Sequence, residues 1–295
     1  MNGFFDGFAE DDIDVGGALL HVRHIRHGGP GPAVVLLHGH PRTHATWHRV
    51  APLLADTHTV VCPDLRGYGR SSKPADSADH AGMSKRALAA DVDALMQQLG
   101  HPRYAVVGHD RGAYVAFRAA LDRPERITHL AVMDAIPIAD ALARCDARFA
   151  QAWWHWFFFA QPGKPERAIC ADPDAWYGSP DDKRRLMGDA AYADYQAAIH
   201  DPATVHAMLE DYRAGLGIDR AHDEASREAG QRVACPLLVL WAGQDDLEAL
   251  HGDPLAVWRP WAGGTLQGRR LPSGHHMAEE IPDRLAAELR AFLGH

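Results

Sequence analysis

The sequence predicts a mostly parallel, doubly wound α/β sheet with a helical cap inserted between two of its strands. Three observations carry this. Short apolar runs alternate with amphipathic helical stretches, the runs at 34–37, 105–107 and 237–240 are apolar at every position, and the alternation stops between about residues 140 and 232 before resuming. A strand buried on both faces of a parallel sheet loses the in–out alternation of a half-exposed strand and reads as a continuous apolar run. Strand–helix alternation implies right-handed crossovers that lay helices on both faces of the sheet.

The strand candidates, in order, are Leu19–Ile25, Ala33–Leu37, Thr59–Cys62, Tyr104–Val107, Leu130–Met133, Leu237–Trp241 and Thr265–Leu271. Between them lie helices with readable ends. Ser84 can cap a helix that carries Leu88, Val92, Leu95, Met96 and Leu99 on one stripe and is closed by Gly100 and Pro102. A second helix opens after Asp110 and stops before Pro124, and a third runs from Pro282 to Leu293. The interrupted region is helical in pattern and rich in aromatic residues, notably Trp153 to Phe159, and a strand returns after Cys235-Pro236. The chain therefore reads as a core in two parts, residues 1–139 and 233–295, with a helical cap over 140–232. Ligand sites favour such interfaces between layers.

Composition excludes several classes. No run of about eighteen apolar residues is present, so a membrane span is not expected. The acidic start of the chain lacks the basic region of a secretory signal. The 4 cysteines are widely spaced with no CxxC pair, which points to free thiols and a cytoplasmic setting. A formal charge of −9, spread along the chain, makes nucleic acid a poor partner. The 20 histidines include His21, His24 and His27, but no HExxH or cysteine–histidine cluster accompanies them. No metal or cofactor is expected. On a strand His21 and His24 would point to opposite faces, and all three read as surface residues.

The most informative segment is Val106-Val107-Gly108-His109-Asp110-Arg111-Gly112-Ala113. It has the form of a nucleophile elbow, a sharp strand-to-helix turn whose small neighbours let one side chain rise into a site. The elbow residue here is Asp110. A helix-capping aspartate would account for Asp110 alone, but not for the remaining parts of a site that follow in order. His38-Gly39-His40-Pro41 comes directly after a strand, where a loop can supply one backbone N–H of an oxyanion hole. The residue after the nucleophile supplies the other, which assigns His40 and Arg111. His275, in Ser273-Gly274-His275-His276 before the last helix, is the expected base. The acid behind it is Asp134 or Asp246, since both follow strands that end at the same edge of the sheet.

An aspartate nucleophile decides the reaction class. A carboxylate is ionised at neutral pH and suits displacement of a leaving group from saturated carbon, giving an ester that water then hydrolyses. Carbon–halogen bonds and epoxides both fit.

At these residues the chain resembles the fluoroacetate (haloacetate) dehalogenases of the α/β-hydrolase superfamily. The resemblance runs through His38-Gly39-x-Pro41, Thr43-His44, Trp47 to Pro52, Asp64, Gly67-Tyr68-Gly69 and the elbow. It continues through Leu130 to Pro137, His155-Trp156, Glu210 to Gly215 and Ser273-Gly274-His275. It implies a triad of Asp110, His275 and Asp134, with Arg111 gripping the substrate carboxylate. His155 and Trp156 then donate hydrogen bonds to the leaving halide, a use of N–H donors that competes with packing at a hydrophobic seam. The partners it implies are a halogenated carboxylate, water as co-substrate and a second copy in a homodimer.

Three positions depart from that family. Tyr114 stands where a second carboxylate-binding arginine is usual, Gly217 falls near the tyrosine of the halide pocket, and His40 replaces an aromatic residue. Arg42 is a candidate to replace the lost arginine. The expected activity is hydrolytic dehalogenation of 2-haloacids. The alternatives are an epoxide hydrolase using Tyr177, Tyr192, Tyr195 or Tyr212 as acids, and a non-catalytic ligand-binding relative.

Overall fold

The structure is a computed structural model that describes residues 4–25, 29, 31–178 and 180–294. Its strands are β1 (Ala9–Asp14), β2 (Leu19–His24), β3 (Ala33–Leu37), β4 (Thr59–Pro63), β5 (Tyr104–His109), β6 (Ile127–Met133), β7 (Leu237–Ala242) and β8 (Leu266–Leu271). They form one 8-stranded sheet in the order β1-β2-β4-β3-β5-β6-β7-β8. The β1–β2 and β2–β4 pairs are antiparallel, and every other pair is parallel. Each expected strand is present, with ends moved by a few residues.

β1 was not expected, because Ala-Glu-Asp-Asp-Ile-Asp carries one large apolar side chain. It is held by β2 instead of by a core. His21 Nδ1 lies 2.8 Å from Asp12 and His24 Nε2 2.8 Å from Asp11. This corrects the surface reading of both histidines, which are buried at 1% and 7% exposure. β1 covers β2, and its carboxylates supply the partners that buried imidazoles need. His27 lies outside the described residues.

The principal helices are α1 (Lys85–Gln98), α2 (Arg111–Asp122), α3 (Trp154–Phe159), α4 (Pro202–Ala214) and α5 (Pro282–Leu293). Ser84 caps α1 as expected, its Oγ accepting from the Ala87 N–H at 3.2 Å. Helices follow one another from Ile138 to Glu228 between β6 and β7, and α3 and α4 belong to this run. Along β3 the side chains alternate between two cores. Val35 and Leu37 pack with α1 and α2 residues such as Leu88 and Phe117, while Val34 and Leu36 pack with α5 residues such as Leu285 and Leu289. Both faces of the central strands are thus covered, so their carboxyl ends form the open edge where a site can be built.

Candidate active site

β5 ends at His109 and α2 begins at Arg111, so Asp110 turns the chain with φ 52° and ψ −121°. Such a backbone is strained by about 1–3 kcal/mol and is held by its surroundings. Glycines make the turn possible. A Cβ on Gly108 would stand 2.3 Å from the Gly112 carbonyl oxygen, and one on Gly112 would stand 2.4 Å from that of His38. Gly39 approaches from the loop after β3, and a Cβ there would lie 2.3 Å from Asp110 Oδ1.

The Asp110 side chain does not cap α2. Its Oδ1 instead accepts the His40 N–H at 2.7 Å. Arg111 opens α2, and the N–H groups of a helix's first turn have no intrahelical acceptor. Burial opposes ionisation of Asp110. The charges of His275, His109 and Arg111 and the His40 N–H outweigh it and hold the carboxyl below its ordinary range. His38 fixes the loop from beneath, with Nδ1 bonded to the Gly39 oxygen at 3.0 Å and Nε2 accepting from Leu65 N at 3.0 Å.

His275 stands across from Asp110, with Nε2 3.8 Å from Asp110 Oδ2. Its Nδ1 lies 2.7 Å from Asp134 Oδ2 and 3.2 Å from Asp245 Oδ2. Asp134 follows β6 directly, and its Oδ1 accepts from Ala242 N at 3.0 Å. Asp246 is turned elsewhere and accepts from Trp153 Nε1 at 2.9 Å. Of the two acids left open by the sequence, Asp134 is therefore the one at His275. Burial alone would lower the His275 pKa, but the bonds to Asp134 and Asp245 and the charge of Asp110 raise it well above the ordinary value.

These groups open on a cavity of about 340 Å³ whose lining includes His40, Asp110, Tyr114, Trp153, His155, Trp156, Tyr212, Asp245 and His275. His155 and Trp156 come from α3 and face the same cavity as Asp110. Burial pushes the His155 pKa down to about 4, so at neutral pH its ring is uncharged and keeps one N–H donor. Burial likewise pushes His40 down to about 3.

The Arg111 guanidinium is 1% exposed, so its ion pair is buried and not on the surface. Nε donates to Asp211 Oδ2 at 3.0 Å, and Nη2 donates to the Asp211 carbonyl oxygen at 2.7 Å and to Oδ1 at 3.2 Å. Its Cζ sits 4.2 Å from the centre of the Tyr212 ring. The Tyr68 hydroxyl at 2.5 Å and the Lys85 ammonium also bond Asp211. Neither Arg111 nor Arg42 is among the residues lining the cavity, and Arg42 makes a buried two-pronged bond with Glu279, at 2.7 and 3.0 Å, so it does not take the place of a second arginine. Tyr114 occupies that place. Gly217 lies in a one-turn π-helix after α4, with open space where a side chain would start. Of the four candidate cap tyrosines only Tyr212 is among the described lining residues.

Sequence reasoning missed the roles of Asp245 and Asp211, and weighed Tyr212 only as an acid for epoxides. Asp245 had a visible signal, being next to Asp246 at the end of a strand. Asp211 and Tyr212 sit in a motif that resemblance singled out, but their contacts are about a hundred residues away in the chain.

Comparison with known proteins agrees with this architecture. Residues 32–278 match the family model of the alpha/beta hydrolase fold, and the chain belongs to that family. A structure of an alpha/beta hydrolase from Nostoc sp PCC 7120 superposes with a TM-score of 0.92 at 39% identity, covering 99% of each chain. Within the family the chain is 41% identical to the fluoroacetate dehalogenase of a Burkholderia sp, over 98% of this chain and 95% of the relative. It is 31% identical to the soluble epoxide hydrolase of Corynebacterium sp. (strain C12), over 86% of this chain and 87% of that one. The chain is a hydrolytic enzyme of the haloacetate dehalogenase family. Among the described residues no helix is long and apolar enough to cross a membrane.

Proposed function

We propose that this enzyme hydrolyses 2-haloacids to 2-hydroxy acids, with Asp110 as nucleophile, His275 as base and Asp134 as the acid that orients it. One observation carries the reading: an ionised carboxylate, held by the His40 N–H, lies between His275 Nε2 and neutral donors on α3. In the first step an Asp110 oxygen attacks the carbon bearing the halogen. The carbon–halogen bond breaks, an ester forms, and the halide leaves towards the His155 and Trp156 N–H groups. In the second step His275 Nε2 takes a proton from water, whose oxygen attacks the Asp110 carbonyl carbon. The N–H groups of His40 and Arg111 receive the developing oxyanion. Collapse expels the alkoxide, which takes the proton back from His275 to give the hydroxy acid, and the Asp110 carboxyl loses the remaining proton of the water, so one proton is released per turnover.

The resemblance supports Arg111 as the group for the substrate carboxylate, which it would meet through Nη1, the nitrogen that Asp211 leaves free. The helices over 140–232 act as a cap that closes the cavity from above. The resemblance further supports a homodimer in the cytoplasm, for which size-exclusion chromatography with light scattering is the test of assembly. The reaction is tested by measuring halide release from fluoroacetate, chloroacetate and longer 2-haloacids. Failure to release halide from any of them overturns the reading.

A second reading, epoxide hydrolysis, is favoured by one feature. Tyr114 and Tyr212 both line the cavity and could protonate an opening epoxide. Diol formation from simple epoxides, without halide release from the acids, would select it.

A further inference from the structure

The carboxyl ends of β6 and β7 lie side by side, with Met133 in register with Leu240. Each delivers a carboxylate to the same nitrogen, Asp134 at 2.7 Å and Asp245 at 3.2 Å from His275 Nδ1. The two acids are held alike. Asp134 binds a backbone N–H (Ala242) with Oδ1 and meets His275 with Oδ2. Asp245 binds a backbone N–H (Asp246, 2.9 Å) with Oδ1 and meets His275 with Oδ2. The loop that carries Asp245 is tied to the segment that carries His275, with Gly243 N bonded to Leu271 O at 2.8 Å and Gln244 N to Ser273 O at 2.9 Å. Asp245 is therefore set against His275 by the backbone of the loop itself.

We infer that Asp245 is a second positioning acid for His275, acting together with Asp134 on Nδ1. Two carboxylates there keep the proton on Nδ1, leave Nε2 free to accept from water, and stabilise the imidazolium that forms. The division of labour follows from placement. Asp134 has a side chain 1% exposed and is raised by burial, whereas that of Asp245 is 33% exposed and is drawn well below the ordinary carboxylate value, chiefly by its bond to His275. Asp245 thus supplies the charge that is cheaper to keep ionised. The other groups that face His275 are Asp110, the rings of His109 and His276 at 4.6 and 5.1 Å, and, further away, the Asp246 carboxylate and the uncharged His155 ring.

The inference rests on His275 being the base of the second step, and its test separates the two. The rate of alkyl-enzyme hydrolysis in a single turnover is measured for Asp245→Asn, Asp134→Asn and the double variant. The His275 titration is followed in each free enzyme by NMR. Asp245→Asn should lower the His275 midpoint and slow hydrolysis on the order of tenfold, as for one lost hydrogen bond to a charged group. It should cost clearly more in the Asp134→Asn background, where no second acid remains. Asp245→Glu should restore both readouts, which a merely structural loop residue would not require. An unchanged titration and rate in Asp245→Asn, or an equal loss in both backgrounds, overturns the shared role. If no alkyl-enzyme forms in any variant, the proposed reaction fails while the titration still decides whether Asp245 acts on His275.

Discussion

Asp211 holds the Arg111 guanidinium from one side, its carboxylate bonding Nε and Nη2 and its carbonyl oxygen bonding Nη2 again. Three bonds on two nitrogens fix the plane of the fork and leave Nη1 as the nitrogen free of Asp211. Asp211 is itself neutralised by Lys85 and bonded by Tyr68, both from the first part of the core. A helix of the insertion and the elbow of the core therefore share one buried charge cluster.

Asp211→Asn should leave Arg111 without its counter-charge, while Lys85 keeps Asp219 at 3.3 Å. Removing one partner of a buried ion pair costs about 3–5 kcal/mol, which thermal or denaturant unfolding will read. Folded variant should show a raised KM for haloacids, because Arg111 loses orientation. A wild-type KM in the folded variant would show that Asp211 serves stability alone.

Asp110→Asn should abolish steady turnover, since a neutral amide does not displace halide. A single turnover of the wild type in ¹⁸O-water should give a first product with unlabelled hydroxyl oxygen, because that oxygen comes from the Asp110 carboxylate. Label in the first product at full enrichment would point to direct attack by water.

His275→Asn should still be alkylated but not hydrolysed, so intact-mass spectrometry after substrate addition should find the protein heavier by the alkyl group. No adduct from any substrate of the wild type would remove His275 from the second step.

The pH dependence follows from charge. His275 is held well above its ordinary pKa in the free enzyme, with Asp110 among the causes, and its Nε2 is a base only once it has lost its proton. Esterification removes the Asp110 charge 3.8 Å from Nε2, which lowers the His275 pKa at the moment its lone pair is needed. Hydrolysis should therefore rise with pH through a midpoint below that of the free enzyme. Equal midpoints from NMR of the free enzyme and from single-turnover hydrolysis would contradict this coupling.

Substrate preference should favour larger or heavier-halogen 2-haloacids over fluoroacetate. Arg42 is committed to Glu279, so Arg111 stands without a second arginine, and Gly217 supplies no donor. Arg111→Lys should raise KM more than the retained charge suggests, because an ammonium cannot keep the forked contact with Asp211 and also reach the substrate. Comparison of kcat/KM across the series decides it, and fluoroacetate as the best substrate would turn attention to Tyr114 and Tyr212 as substitute donors.

The parallel core was legible because its strands are apolar at every position and its helices have caps. β1 was not, since its Glu10, Asp11 and Asp12 carboxylates owe their place to His21, His24 and Arg23 across the pair, a dependence no local pattern records. The elbow, the loop at His40 and His275 were legible because glycines mark where the backbone must come close. Asp211 was not, because its partner is fixed only when α4 docks beside α2. Asp245 needed the register of β6 on β7 to reveal that two adjacent loops converge on one imidazole.

The missing side chain at Gly39 sets a boundary for redesign. The nucleophile occupies the room that a side chain there would fill, so libraries that vary residue 39 will sample mainly inactive proteins. Tyr114 and Trp153 face the same cavity without bonding Asp110. Substrate range can be reshaped at those two positions while the reacting carboxylate keeps its seat.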